Sequence, residues 1–244
     1  MRIITRIIIL TCILGMLTGC KANKVRSNTV SENEQANTQA NEQAEPRPKS
    51  EVAKINVQLG MAYLEQKNVQ RAKQKFLLAM QQGPDIPETW YSMAYFLEAT
   101  GNKEEARKYY LKSVEIAPAR GDVQNNYGTF LCRSGQHQES MKHFMMAAKD
   151  PDYLDPAAAF ENAGLCSMKM HAYQQAAGYF RQALLKDPAR SFSLLNLAEA
   201  DMKLGNYEHA QEMLTQYSVT ATTPAPEYKK LSEQLAKHLV KQTG

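Results

Sequence analysis

The apolar and small residues of Ala53–Ile86 are spaced as the two helices of one hairpin. In a 34-residue frame starting at Ala53, Leu59 and Gly60 stand at positions 7 and 8, Tyr63 at 11 and Ala72 at 20. Phe76, Ala79 and Pro84 follow at 24, 27 and 32. Two such helices pack closely only where Gly or Ala replaces bulk, and one hairpin cannot bury its own apolar face. The pattern therefore predicts copies of itself. Position 8 returns as Gly60, Ala94, Gly128, Gly164 and Ala198, at spacings of 34, 34, 36 and 34. Position 20 returns in step as Ala72, Ala106, Ser140, Ala176 and Ala210. Position 32 reads Pro84, Pro118, Asp152, Pro188 and Thr222, so the helix-stopping proline is kept in three copies of five.

This small-and-large pattern resembles the tetratricopeptide repeat. The resemblance implies an all-α, right-handed solenoid of five helix–turn–helix repeats, 53–86, 87–120, 121–154, 157–190 and 191–224, in a domain spanning 51–224. Asp155 and Pro156 read as a lengthened turn between the third and fourth repeats. Within 225–244, Tyr228, Leu231, Leu235 and Leu239 recur at three- and four-residue steps, which predicts one amphipathic capping helix. In tetratricopeptide-repeat proteins the concave surface is lined by first-helix positions 2, 5, 9 and 12. That implies a partner-binding groove containing Val57, Met61, Leu64, Tyr91 and Tyr95, followed by polar Asp122, Asn125 and Thr129. Core packing takes positions 7, 8 and 11, so these groove residues form an apolar patch of the kind that marks a binding surface. The alternative is that the N-terminal tether or a neighbouring helix covers it.

Residues 1–19 have the parts of an export signal: basic Arg2 and Arg6, then the apolar run Ile7–Leu17, too short for a permanent membrane span. The signal ends in Leu17-Thr18-Gly19-Cys20, which resembles the bacterial lipobox. The resemblance implies acylation of Cys20, and several acyl chains hold a protein firmly to a membrane where one does not. Lys21 stands where an aspartate would resemble an inner-membrane retention signal, so the expected location is the periplasmic face of the outer membrane. The stretch 20–50 has no aromatic residue and is crowded with Asn, Gln, Glu, Ser and Thr; it reads as a flexible, lipid-anchored tether.

Composition narrows the chemistry. A formal charge of +4 over 244 residues gives no case for a nucleic-acid partner. There is no Gly-rich phosphate loop, no nucleophile elbow and no His-Glu-x-x-His, so no catalytic residue, metal, cofactor or small-molecule substrate is expected. The five histidines are scattered and read as surface residues. Cys132 and Cys166, at positions 12 and 10 of adjacent repeats, are the two thiols left in the exported chain, which favours a disulfide. The alternative is two small buried residues packing independently, because the two-position offset leaves open whether their Cα atoms come within the roughly 7 Å a bridge needs.

Asn125-Asn126-Tyr127-Gly128-Thr129-Phe130-Leu131-Cys132 and, further on, Phe160-Glu161-Asn162-Ala163-Gly164-Leu165 go beyond generic repeat spacing. They resemble the type IV pilus biogenesis lipoproteins of the PilF/PilW family, the secretin pilotins. That resemblance implies a non-enzymatic role: binding the outer-membrane pilus secretin and promoting its localisation and assembly into a multimer. Members of the family carry a complete sixth repeat, whereas here one helix follows the fifth. The competing expectation is a general periplasmic adaptor that scaffolds cell-wall or envelope proteins.

Overall fold

A computed structural model describes residues 47–243. The expected signal peptide, Cys20 and the tether as far as residue 46 lie outside the described residues. Eleven helices and no strand are present among the described residues. Ten of them pair as hairpins: α1 (Lys49–Glu65) with α2 (Val69–Gln82), α3 (Pro87–Ala99) with α4 (Lys103–Ile116), and α5 (Gly121–Arg133) with α6 (His137–Lys149). Then follow α7 (Pro156–Lys169) with α8 (Tyr173–Lys186), and α9 (Ser191–Leu204) with α10 (Tyr207–Thr220). A single helix, α11 (Pro226–Thr243), comes after them. This is the all-α repeat architecture that the 34-residue pattern predicts.

One turn chemistry makes all five hairpins. Gly101, Gly135 and Gly205 take left-handed φ values of 90°, 81° and 81° just past the first helix. The next N–H then reaches back along the helix, Asn102 to the Leu97 carbonyl at 2.8 Å and Gln136 to the Leu131 carbonyl at 2.9 Å. Such a bond satisfies a carbonyl that the helix end would leave unpaired and throws the chain into the second helix. Lys67 and His171 occupy the same place at φ 59° and 57°. Their turns close identically, but a side chain in this region is strained by roughly 1–2 kcal/mol.

The two helices of a repeat meet where position 8 faces position 24. A Cβ built on Gly60 would lie 2.6 Å from the Phe76 ring, one on Gly164 2.6 Å from Phe180, and one on Gly128 2.9 Å from Phe144. All three phenylalanines are fully buried, each contributing about 1.5–3 kcal/mol of burial. Ala94 and Ala198 take the small position in the second and fifth repeats, in clusters with Tyr110 and Leu214. The core runs from repeat to repeat, and Leu231 and Leu235 of α11 cover its last exposed face, as a solenoid end requires.

Two boundaries differ from the sequence expectation. Lys49 and Ser50 belong to α1 rather than to a tether: Glu51 and Val52 donate their N–H groups to the Pro48 carbonyl at 3.0 and 3.1 Å. The turn before the fourth repeat is lengthened as expected, 150–155 against 117–120 and 187–190, but Asp155 and Pro156 open the next helix rather than fill the turn. Asp155 accepts the Ala158 N–H at 3.0 Å as the cap of α7, and Pro156 is the first residue of that helix, where its missing N–H is harmless.

Candidate partner-binding groove

Neighbouring first helices are stitched together where polar side chains at the groove positions accept from donors beside them. Arg120 donates to Glu88 at 2.7 Å and to Asp122 at 2.6 Å. Arg133 grips both oxygens of Glu98, at 2.7 and 2.6 Å, a two-point geometry stronger than a single bond. Asn162 donates to Asn125 at 3.0 Å, while Arg190 and Ser193 converge on Glu161 at 3.0 and 2.7 Å. The carboxylates on this face thus hold the solenoid in register.

On the same face, side chains at positions 9 and 12 line two open cavities. The first, ≈380 Å³, is lined by Met61, Leu64, Val69 and Tyr95, among others. The second, ≈360 Å³, lies between α5 and α7, where Thr129, Cys132, Asn162, Leu165, Cys166 and Met168 line it. The expected apolar groove ended at Tyr95, so this second cavity was missed. Its signal was nevertheless in the frame, since Leu165 and Met168 are the position 9 and 12 residues of the fourth repeat.

The five expected groove residues do not share one environment. Tyr95 is 39% exposed, and Val57, Met61 and Leu64 are half-buried. Met61, Leu64 and Tyr91 pack against the core cluster that spans the first three repeats. Tyr91 is moreover held inward: its hydroxyl donates to Asp122 at 3.2 Å. Burial first, and then the charge of Asp122, pushes that hydroxyl's pKa far up, so it remains a donor. The expectation that Tyr91 has no place within the solenoid is corrected by this inter-repeat bond. Nor are all the histidines surface residues. His143 is half-buried, with Nδ1 2.5 Å from Gln124 Oε1, and burial lowers its pKa. His209 Nδ1 lies 2.6 Å from Oδ2 of fully buried Asp201.

Cys132 and Cys166 form a disulfide between α5 and α7, with Cα atoms 5.9 Å apart. Their two-position offset follows the backward step by which Tyr91 meets Asp122 (positions 5 and 2) and Glu161 meets Ser193 (positions 5 and 3). His137 Nδ1 lies 3.4 Å from Cys166 Sγ. Among the described residues, these three bring together the donor atoms suited to a metal ion.

The chain matches the tetratricopeptide-repeat family over residues 87–120 and 167–235. An uncharacterized protein of Haemophilus influenzae is 35% identical over 133 residues, 53% of this chain and 74% of that protein. The type IV pilus assembly protein PilF of Pseudomonas aeruginosa is 26% identical over 164 residues, 67% of this chain and 65% of that protein. In three dimensions the chain is similar to PilW, a widely conserved type IV pilus biogenesis factor, with TM-score 0.69 and 27% identity over 77% of this chain and 86% of PilW. The structure of Pseudomonas aeruginosa PilF gives TM-score 0.69 at 24% identity, covering 81% of this chain and 88% of PilF.

Proposed function

We propose that the chain is a pilotin: it is built from tetratricopeptide repeats and is similar to the type IV pilus proteins PilF in sequence and PilW in fold. In this reading Cys20 is acylated, the chain sits on the periplasmic face of the outer membrane, and the repeats bind the pilus secretin and promote its localisation and assembly. The observation that carries the binding step is the pair of partly apolar cavities spaced along the first helices. An extended or helical secretin segment lying across them would cover Tyr95, Leu165 and Met168, and would meet a rim of already neutralised carboxylates. Rigid aromatic side chains at such a place often dominate binding.

The test is capture of the secretin by the purified chain carrying Tyr95→Ala, with Leu111→Ala as control. Leu111 is comparably exposed but lies on a second helix, away from the cavities. Tyr95→Ala should weaken capture by about 30-fold, the effect of a 2 kcal/mol hot spot, and Leu111→Ala should not change it. Equal capture by both variants, with helicity intact by circular dichroism, would move the site elsewhere.

A further inference from the structure

Three donor atoms converge at the junction of the third and fourth repeats. Cys132 Sγ and Cys166 Sγ lie 3.9 and 3.4 Å from Nδ1 of His137. All three atoms fall within 4.8 Å of one another. His137 opens α6, while the cysteines stand on α5 and α7, so three different helices build the cluster. Zinc bound tetrahedrally, with sulfur at about 2.3 Å and nitrogen at about 2.05 Å, separates those two ligands by about 3.6 Å. The observed distances of 3.9 and 3.4 Å bracket that separation.

We propose that the reduced form of this site, Cys132, Cys166 and His137, binds one Zn²⁺ ion, and that metal and disulfide are alternative closures of the same junction. A reductant breaks the Sγ–Sγ bond and is itself oxidised by two electrons, a dithiol to a disulfide or a phosphine, with one water, to a phosphine oxide; the two electrons and two protons leave Cys132 and Cys166 as thiols. Zn²⁺ then displaces both protons to solvent and is held by two thiolates and the neutral imidazole. The sulfurs must part from bonding distance to about 3.8 Å, a change that rotation about the Cα–Cβ bonds provides while the helices stay in place.

The surroundings suit thiolates. Ser140 Oγ is 3.3 Å from Cys166 Sγ and now donates to the His137 carbonyl at 2.7 Å; turning its hydrogen gives a donor to the thiolate. Both Ser140 and His137 lie in the first turn of α6, whose dipole favours negative charge. The fourth coordination position is left to water from the ≈360 Å³ cavity that Cys132 and Cys166 line. Two sulfurs and one imidazole around an open position match the preferences of zinc rather than those of calcium or magnesium, which take oxygen ligands.

The purified chain, reduced with a phosphine under nitrogen, is titrated with Co²⁺ as a spectroscopic probe and then with Zn²⁺. The expected result is a sulfur-to-cobalt charge-transfer band with tetrahedral d–d bands, saturating at one Co²⁺ per chain and abolished by Zn²⁺. The oxidised chain should give none. Zn²⁺ should also raise the melting temperature of the reduced chain, as a ligand of the folded state must. His137→Gln, at a half-exposed position, should weaken Co²⁺ binding more than about 100-fold, beyond the loss expected for an outer-shell partner. A reduced, alkylatable chain with no cobalt bands and no Zn²⁺-dependent melting shift overturns the site. So does unaltered affinity in His137→Gln, or a reduced chain that loses helicity and regains none with Zn²⁺. None of these readouts involves the secretin.

Discussion

Gly164 and Gly178 lie in one repeat, both in helices, and should respond to alanine with opposite signs. An interior helical glycine is destabilising by about 1 kcal/mol relative to alanine. At Gly178 an added Cβ meets nothing within 4 Å, so Gly178→Ala should stabilise the protein by about 1 kcal/mol. At Gly164 the same Cβ would lie 2.6 Å from one Phe180 ring carbon and 2.8 Å from two others. Phe180 has no room to retreat, because it is fully buried in a cluster with Ala176, Ala177, Leu197 and Ala200. Overpacking of this severity belongs near the top of the usual range, about 3 kcal/mol. After the gain in helix propensity, Gly164→Ala should lose about 2 kcal/mol. For a chain of this size 1 kcal/mol moves the melting midpoint by roughly 2–4 °C. Thermal unfolding followed by circular dichroism should therefore show Gly178→Ala melting about 3 °C above the parent protein and Gly164→Ala about 6 °C below it. Two upward shifts of similar size would mean that position 8 does not hold the helices together, and the packing account would fail with it.

Three further outcomes are expected. Lys67→Gly should raise stability by about 1 kcal/mol, since it relieves a left-handed backbone; a lower melting temperature would refute the strain. Burial lowers the folded pKa of His143, so its contribution to stability is present above the unfolded value of about 6.5 and is lost as pH falls below it. Stability between about pH 7 and 5 should therefore fall more steeply in the parent than in His143→Gln, and parallel profiles would refute this. Cys20→Ala should leave the repeats folded but release the protein from outer membranes prepared without its secretin; a variant that still sediments would rule out acylation as the anchor.

What the sequence determined by itself is what lies inside one repeat. Gly164 and Phe180 are close neighbours along the chain, and Asn102 bonds to Leu97 only a few residues back, so hairpin, turn and core could be read from spacing alone. Three repeats pair Gly at position 8 with Phe at position 24, while Ala94 goes with Tyr110 and Ala198 with Leu214. What joins one repeat to the next was decided by the tertiary structure. Tyr91 meets Asp122 across 31 residues, Asn125 meets Asn162 across 37, and Cys132 meets Cys166 across 34. The frame says only that neighbouring first helices are adjacent. Whether a position meets its exact equivalent or one two or three places back depends on the stagger with which those helices pack, and side-chain volume summed over the whole interface sets that stagger. The same stagger turns Tyr91 inward while leaving Tyr95 in the groove. It also carries His137, a residue that composition alone would leave on the surface, against the sulfurs of two other helices.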